Sequence, residues 1–229
     1  MTIEPVGWVR TCFEEKFGVP RQPGLCPSAW GELRFAPEFR SVDAVRGLEG
    51  FSHVWLVFGF HLTVEQGWRP TVRPPRLGGN ERRGVFASRS TFRPNGLGLS
   101  LVTLEEVELG AEGPVLHLGG LDLVSGTPVY DVKPMIPFAE ALVEVRGGYA
   151  EEVPMRMPVV GVEKLEGMRA RDREVVVEAL SLDPRPAAGR AEVGREFGVG
   201  MCGKNVKFRV EDGECQILGV EEWRGGGME

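Results

Sequence analysis

Histidine is scarce in this chain, with three in 229 residues, and cysteine is nearly as rare, with four. Cys12, Cys26, Cys202 and Cys215 have none of the short spacings that hold zinc, and His53, His61 and His117 are scattered, so no metal is expected. In a chain of this size the four thiols read as reduced. No apolar run approaches the roughly 18 residues of a membrane span. The start, Met1-Thr2-Ile3-Glu4-Pro5, carries neither the basic nor the apolar part of a secretion signal. The expectation is a soluble, cytoplasmic protein that touches no membrane. A Walker A loop, a Gly-x-Gly-x-x-Gly helix opener, a nucleophile elbow and a His-Glu-x-x-His pair are all missing. These absences argue against the phosphate-loop, dinucleotide-fold, α/β-hydrolase and zincin classes.

Glycine (32) and proline (17) are plentiful, which favours turns and short strands over long helices. Residues 5–10, 31–35, 84–88, 98–109, 115–124 and 129–133 read as strands, with hairpin composition at 110–114. Residues 51–60 form the clearest strand, so nearly apolar throughout that burial on both faces is expected. Residues 37–47 read as a helix. This density of short strands predicts a sheet curled into a barrel or sandwich. Beyond residue 150 the pattern changes. Residues 168–182 predict a helix burying Val175, Val176, Ala179, Leu180 and Leu182, stopped by Asp183-Pro184-Arg185-Pro186. Residues 206–210 and 215–222 predict a terminal hairpin about Glu211-Asp212-Gly213-Glu214. The fold class is therefore mainly β: an N-terminal domain over 1–150 and a small α+β C-terminal domain over 155–229.

The formal charge of −6 hides an asymmetry. Residues 1–99 hold 13 basic and 9 acidic side chains, whereas residues 100–229 hold 14 and 24. Between Arg69 and Arg93 lie seven arginines (69, 73, 76, 82, 83, 89 and 93) and one acid, Glu81. A focused positive patch on an acidic protein suits a polyanion, although charge runs also occur as plain solvated faces. The stretch Phe86-Ala87-Ser88-Arg89-Ser90-Thr91-Phe92-Arg93-Pro94-Asn95-Gly96-Leu97-Gly98-Leu99-Ser100 is a poor way to build a core. Its arginines can fork onto a carboxylate or phosphate, Asn95 can read an amide or base edge, and Gly96 and Gly98 can let a ligand approach the backbone. The polar, proline-stiffened loop at 67–80 adjoins it. His61, at a strand end, reads either as a ligand or acid–base group or as a polar cap. Asp122, Ser125 and Thr127 suit a turn as well as a site. Asp131 and Lys133 share one strand face, as a surface pair or as part of a site.

Several of these stretches also occur together in one family. Residues 15–24 (Glu-Lys-Phe-Gly-Val-Pro-Arg-Gln-Pro-Gly), Gly50-Phe51-Ser52-His53-Val54-Trp55, Arg73-Pro74-Pro75-Arg76, the 89–100 loop, 122–128 and 130–134 resemble, in order and almost end to end, the TsaA-like family of tRNA N6-methyltransferases. The segment at 183–186 is similar to the small C-terminal domain of its bacterial members. The resemblance implies a β-barrel catalytic domain that binds S-adenosylmethionine near a homodimer interface. It implies methylation of N6 of threonylcarbamoyl-adenosine at position 37, in the tRNA anticodon loop. Cofactor contacts would fall at Pro20, Arg21, Gln22, His61, Leu62, Arg89, Leu99, Asp122, Leu123, Val124 and Ser125. With such a substrate, whose N6 proton is made acidic by the carbamoyl group, a modest base or water could take that proton, and Asp131 and His61 are the candidate bases. Arg69, Arg73, Arg76, Arg82, Arg83, Arg93, Asn95 and Lys133 would face the RNA. Thr91 and Gly96 stand where the family has prolines, which predicts a looser loop, and Leu62 replaces a glutamine. The alternative reading is a non-catalytic barrel that binds S-adenosylmethionine and RNA.

Overall fold

The computed structural model describes residues 2–79, 81–185 and 194–225. Asn80, in the first basic loop, and Pro186, in the helix-stop segment, lie outside the described residues. The barrel uses β1 (Gly7–Thr11), β2 (Trp30–Phe35), β3 (His53–Gly59), β6 (Leu97–Gly110), β7 (Gly113–Gly119) and β8 (Pro128–Pro134). The long connection from β3 to β6 carries the small hairpin β4 (Thr71–Val72) and β5 (Arg83–Gly84). Around the closed barrel the order is β1-β2-β7-β6-β3-β8, with antiparallel pairing throughout. Gly7 opposite Val129 and Trp8 opposite Pro128 close the ring.

Period-two alternation fills the interior. Val9, Leu33, Val54, Leu56, Phe58, Val102, Leu104, Leu116 and Leu118 point inward, joined by Leu121 and Leu123 from the β7–β8 connection. β3 is buried on one face only: Val54, Leu56 and Phe58 face the core while His53, Trp55 and Val57 are half-buried. The expectation of burial on both faces fails because a barrel strand has an outside. The predicted helix at 37–47 is instead three 3-10 turns, Pro37–Phe39, Val42–Val45 and Leu48–Gly50. Ser41 is extended and Gly47 has φ +85°, so the backbone resets between turns. Residues 85–87, read as strand, form another such turn. β7 ends at Gly119 because Gly120 turns the chain at φ +66°.

The C-terminal sheet has the order β10 (Glu196–Met201), β11 (Lys204–Glu211), β12 (Glu214–Glu222) and β9 (Val159–Val160), the last pair parallel. Asp212 and Gly213, at φ +50° and +80°, make the β11–β12 turn, a left-handed pair that matches strand twist. The helices are α1 (Pro137–Glu140) and α2 (Ala170–Ser181). α2 buries Val175, Val176, Ala179 and Leu180 against Val199, Met201, Val206, Phe208, Cys215 and Ile217.

That second core also takes Cys12, Phe13, Cys26 and Ala29 from the segment between β1 and β2. Phe13 bridges to Met201, and the Cys202 N–H donates to the Cys12 carbonyl at 2.7 Å. Glu15 accepts from the Gly200 N–H at 2.7 Å, and Glu14 accepts from the Gly203 N–H at 2.6 Å. The Trp30 indole donates to buried Asp172 at 2.8 Å. Residues 12–30 are thus held from both sides, and this segment carries Pro20, Arg21 and Gln22 to one end of the barrel.

Candidate functional site

Four parts of the chain meet at the end of the barrel where β6 begins. The Arg89 guanidinium donates to the Gln22 side-chain oxygen at 2.6 Å. Ser100, 1% exposed in β6, donates its hydroxyl to the Asp122 carboxylate at 2.6 Å. Burial pushes the Asp122 carboxyl from 3.8 up to about 6, opposed by the Ser100 bond and by the Arg89 charge. The Phe60 N–H donates to the Gly96 carbonyl at 2.8 Å, bringing the His61–Leu62 turn beside the 89–100 loop. Burial lowers the His61 pKa from 6.5, so its imidazole is neutral at pH 7.

The loop itself is cross-tied. Arg93 donates to the Val85 and Ser88 carbonyls at 3.2 and 2.7 Å, and the Ser88 hydroxyl donates to the Val85 carbonyl at 2.9 Å. These ties cross the loop that carries Thr91 and Gly96. Gly96 has φ +60°, a conformation closed to proline. Gly98 leaves no room for a ligand over its Cα: a Cβ there would lie 2.2 Å from the Phe58 ring.

Leu99 pairs with Val57, and Val57 with Asp131, so the three share a row on the outside of the barrel. Asp131 pairs with Lys133 at 2.9 Å and accepts from the Val132 N–H. The Leu123 carbonyl takes the Thr11 hydroxyl at 2.9 Å, and the Ser125 N–H donates to the Phe13 carbonyl, which pins residues 123–125 to the end of β1 and the segment just after it. Pro20 is buried and Leu62 is exposed. Arg69 lies over the Phe92 ring at 4.7 Å, and Arg83 pairs with Glu81 at 2.6 Å. Arg73, Arg76, Arg82 and Asn95 are exposed. Sequence reasoning missed the role of Ser100 as the partner of Asp122. The signal was a hydroxyl in an inward slot of β6, in one column with Val102 and Leu104. Among the described residues no group of three His, Cys, Asp or Glu side chains could hold a metal ion, and no helix is long and apolar enough to cross a membrane.

Residues 8–141 match the tRNA-methyltransferase O (TrmO) N-terminal domain model, and residues 161–223 match the TrmO C-terminal domain model. This chain belongs to the TrmO family. It is 49% identical over 228 residues to the tRNA (adenine(37)-N6)-methyltransferase of Escherichia coli K12, covering 96% of this chain and 97% of that one. It is 47% identical over 215 residues to a Pseudomonas aeruginosa protein named as an S-adenosylmethionine-dependent methyltransferase, covering 90% of this chain and 91% of that one. The crystal structure of TrmO from Pseudomonas aeruginosa superposes with a TM-score of 0.78 at 36% identity, covering 96% of this chain and 98% of that one. The six-stranded barrel is thus the TrmO fold rather than the doubly wound sheet of nucleotide-binding proteins.

The buried carboxylate at this end of the barrel makes stability pH-dependent. Its folded pKa, about 6, lies above the unfolded value near 3.8. The stabilisation from protonated Asp122 is therefore complete below pH ~4 and lost as the pH rises through ~6. Asp122→Asn removes that loss. The melting temperature of the variant is expected to gain on the parent between pH 4 and 7, by the equivalent of about 2 kcal/mol. A constant difference across that range would refute the assignment.

Proposed function

We propose that this chain transfers a methyl group from S-adenosylmethionine to N6 of threonylcarbamoyl-adenosine at position 37 of tRNA, acting in the cytoplasm as a homodimer. The observation that carries the reading is the meeting of Gln22, Arg89, Ser100 and Asp122, in a chain related along its whole length to a tRNA (adenine(37)-N6)-methyltransferase. A non-catalytic barrel is not favoured, because relatives that match nearly end to end carry enzyme names.

The residues suit the cofactor chemically. A ligand that bears hydroxyl and amino donors meets the desolvated Asp122 carboxylate, which takes one side-chain bond, from Ser100. A ligand carboxylate meets Arg89, with Arg21 beside Gln22 in the chain. Pro20, Leu62, Leu99 and residues 123–125 supply apolar walls and backbone groups. When bound, S-adenosylmethionine supplies an activated methyl on a sulfonium. The protein aligns that methyl with N6 and excludes competing acceptors. The carbamoyl group withdraws electrons from N6 and makes its proton more acidic, so a modest base suffices. His61, held neutral by burial, is the favoured acceptor at an imidazole nitrogen. Asp131, paired with Lys133, is the second candidate.

The arginine loop supplies affinity for the anticodon stem-loop. Arg69, Arg73, Arg76, Arg82 and Arg83 track phosphates, joined by Arg93, Asn95 and Lys133. Incubation with methyl-labelled S-adenosylmethionine and total tRNA is expected to label the tRNA. Arg73→Ala with Arg76→Ala is expected to weaken tRNA binding, lower the slope of log K against log salt by about 1–2, and leave cofactor affinity intact. Parental tRNA affinity and slope in the double variant would refute the phosphate-tracking role.

A further inference from the structure

Phe86 is 75% exposed. A single exposed apolar side chain needs no explanation, but three features set this one apart. First, its backbone is fixed. Phe86 is the middle residue of the 3-10 turn Val85–Ala87, whose Val85 is 1% exposed and donates its N–H to the Pro70 carbonyl at 3.0 Å. Arg93 and the Ser88 hydroxyl both bind the Val85 carbonyl. Second, one face of the ring is backed by a cation, with the Arg93 guanidinium 5.8 Å from its centroid. Third, the ring stands three residues before Arg89 and inside the stretch of seven arginines and one acid.

We propose that Phe86 is a stacking platform for an unpaired nucleotide of the RNA, one that flanks the nucleotide entering the site. The inference rests on the reading of this protein as a tRNA enzyme and adds a residue that reads the bases rather than the phosphates. Charge complementarity identifies the occupant: a polyanion drawn to this loop brings bases, and an aromatic face accepts any base. A ring on a fixed backbone, with one face backed by Arg93, loses less entropy on stacking than one on a free loop. Trp68, 55% exposed and next to Arg69, offers a second ring on the adjoining loop.

The test measures anticodon stem-loop affinity, the salt slope of that affinity, S-adenosylmethionine affinity and sedimentation for the full chain and for Phe86→Ala, Phe86→Leu and Phe86→Tyr. Phe86→Ala is expected to lose about tenfold in RNA affinity, the scale of one base–aromatic stack. Its salt slope should not change, because the ring carries no charge. Phe86→Leu should fall with it, and Phe86→Tyr should keep parental affinity. Cofactor affinity and oligomeric state should stay as in the parent. Equal RNA binding by Phe86→Ala, full binding by Phe86→Leu, or an altered oligomeric state would each overturn the proposal, the last by assigning the ring to a protein contact. Failure of the enzymatic reading shows separately, as absent methyl transfer by the unaltered chain while RNA binding still decides the role of the ring.

Discussion

Arg89→Ala is expected to lower kcat/KM for methyl transfer on the order of 100-fold and to weaken S-adenosylmethionine binding in step. Arg89 makes two connections at once. It donates to Gln22 at 2.6 Å, and its charge opposes the burial that raises the pKa of Asp122. Truncation leaves the Gln22 oxygen without that donor and Asp122 without its counter-charge, so the Asp122 carboxyl moves further up and is more protonated at neutral pH. On the proposed reading, the carboxylate of the cofactor would also lose its forked cationic partner. Arg89→Lys keeps the charge but not the fork, so it is expected to fall between the two. Arg89 is exposed, so the melting temperature should fall only slightly at neutral pH, through the loss of its charge beside Asp122, and not at all near pH ~4. Calorimetric titration and steady-state rates on the same preparations check this. Lost activity with parental cofactor affinity would move Arg89 to the RNA, and parental values in both would remove it from the site.

Gly98→Ala is expected to destabilise the fold by about 1–3 kcal/mol. The cause is steric. A Cβ at residue 98 would fall 2.2, 2.5 and 2.8 Å from three carbons of the Phe58 ring, which is 5% exposed and stands edge-on to Phe60 at 5.1 Å. The ring must leave its place or β6 must part from β3 where Phe58 pairs with Gly98. Either movement disturbs the strand two residues before Ser100, so cofactor affinity should fall with stability. Phe58→Leu makes room, and the double variant should therefore lose less than the sum of the two single losses. Additive losses in denaturant unfolding would show that the ring is not the obstacle.

The barrel was legible because its strands announce themselves. Residues 97–104 alternate, 113–119 form a short run that is apolar but for His117, and glycine-bearing turns bound the strands. The helix Ala170–Ser181 and the hairpin about Asp212-Gly213 were equally plain. The strand Glu196–Met201 was not, because two of its six residues are glycines and no alternation survives. Residues 37–47 misled because apolar side chains three apart suit a 3-10 turn as well as an α-helix. Of the site, the arginine loop stood out by charge alone. The contacts between Gln22 and Arg89 and between Ser100 and Asp122 span 67 and 22 residues: the first joins two irregular loops, and the second lies past the last pair of the β6–β7 hairpin, so no local pattern announces either. The seating of residues 12–30 in the C-terminal core was also hidden, because Cys12, Phe13 and Cys26 look like ordinary apolar residues of an irregular stretch.

The most direct test of the proposed activity is transfer of label from methyl-labelled S-adenosylmethionine to two tRNA pools, one from cells that make threonylcarbamoyl-adenosine and one from cells that cannot. Label at N6 of nucleotide 37 in the first pool alone is the expected result. Equal label in both pools, or none in either while S-adenosylmethionine is bound, would contradict the proposed substrate.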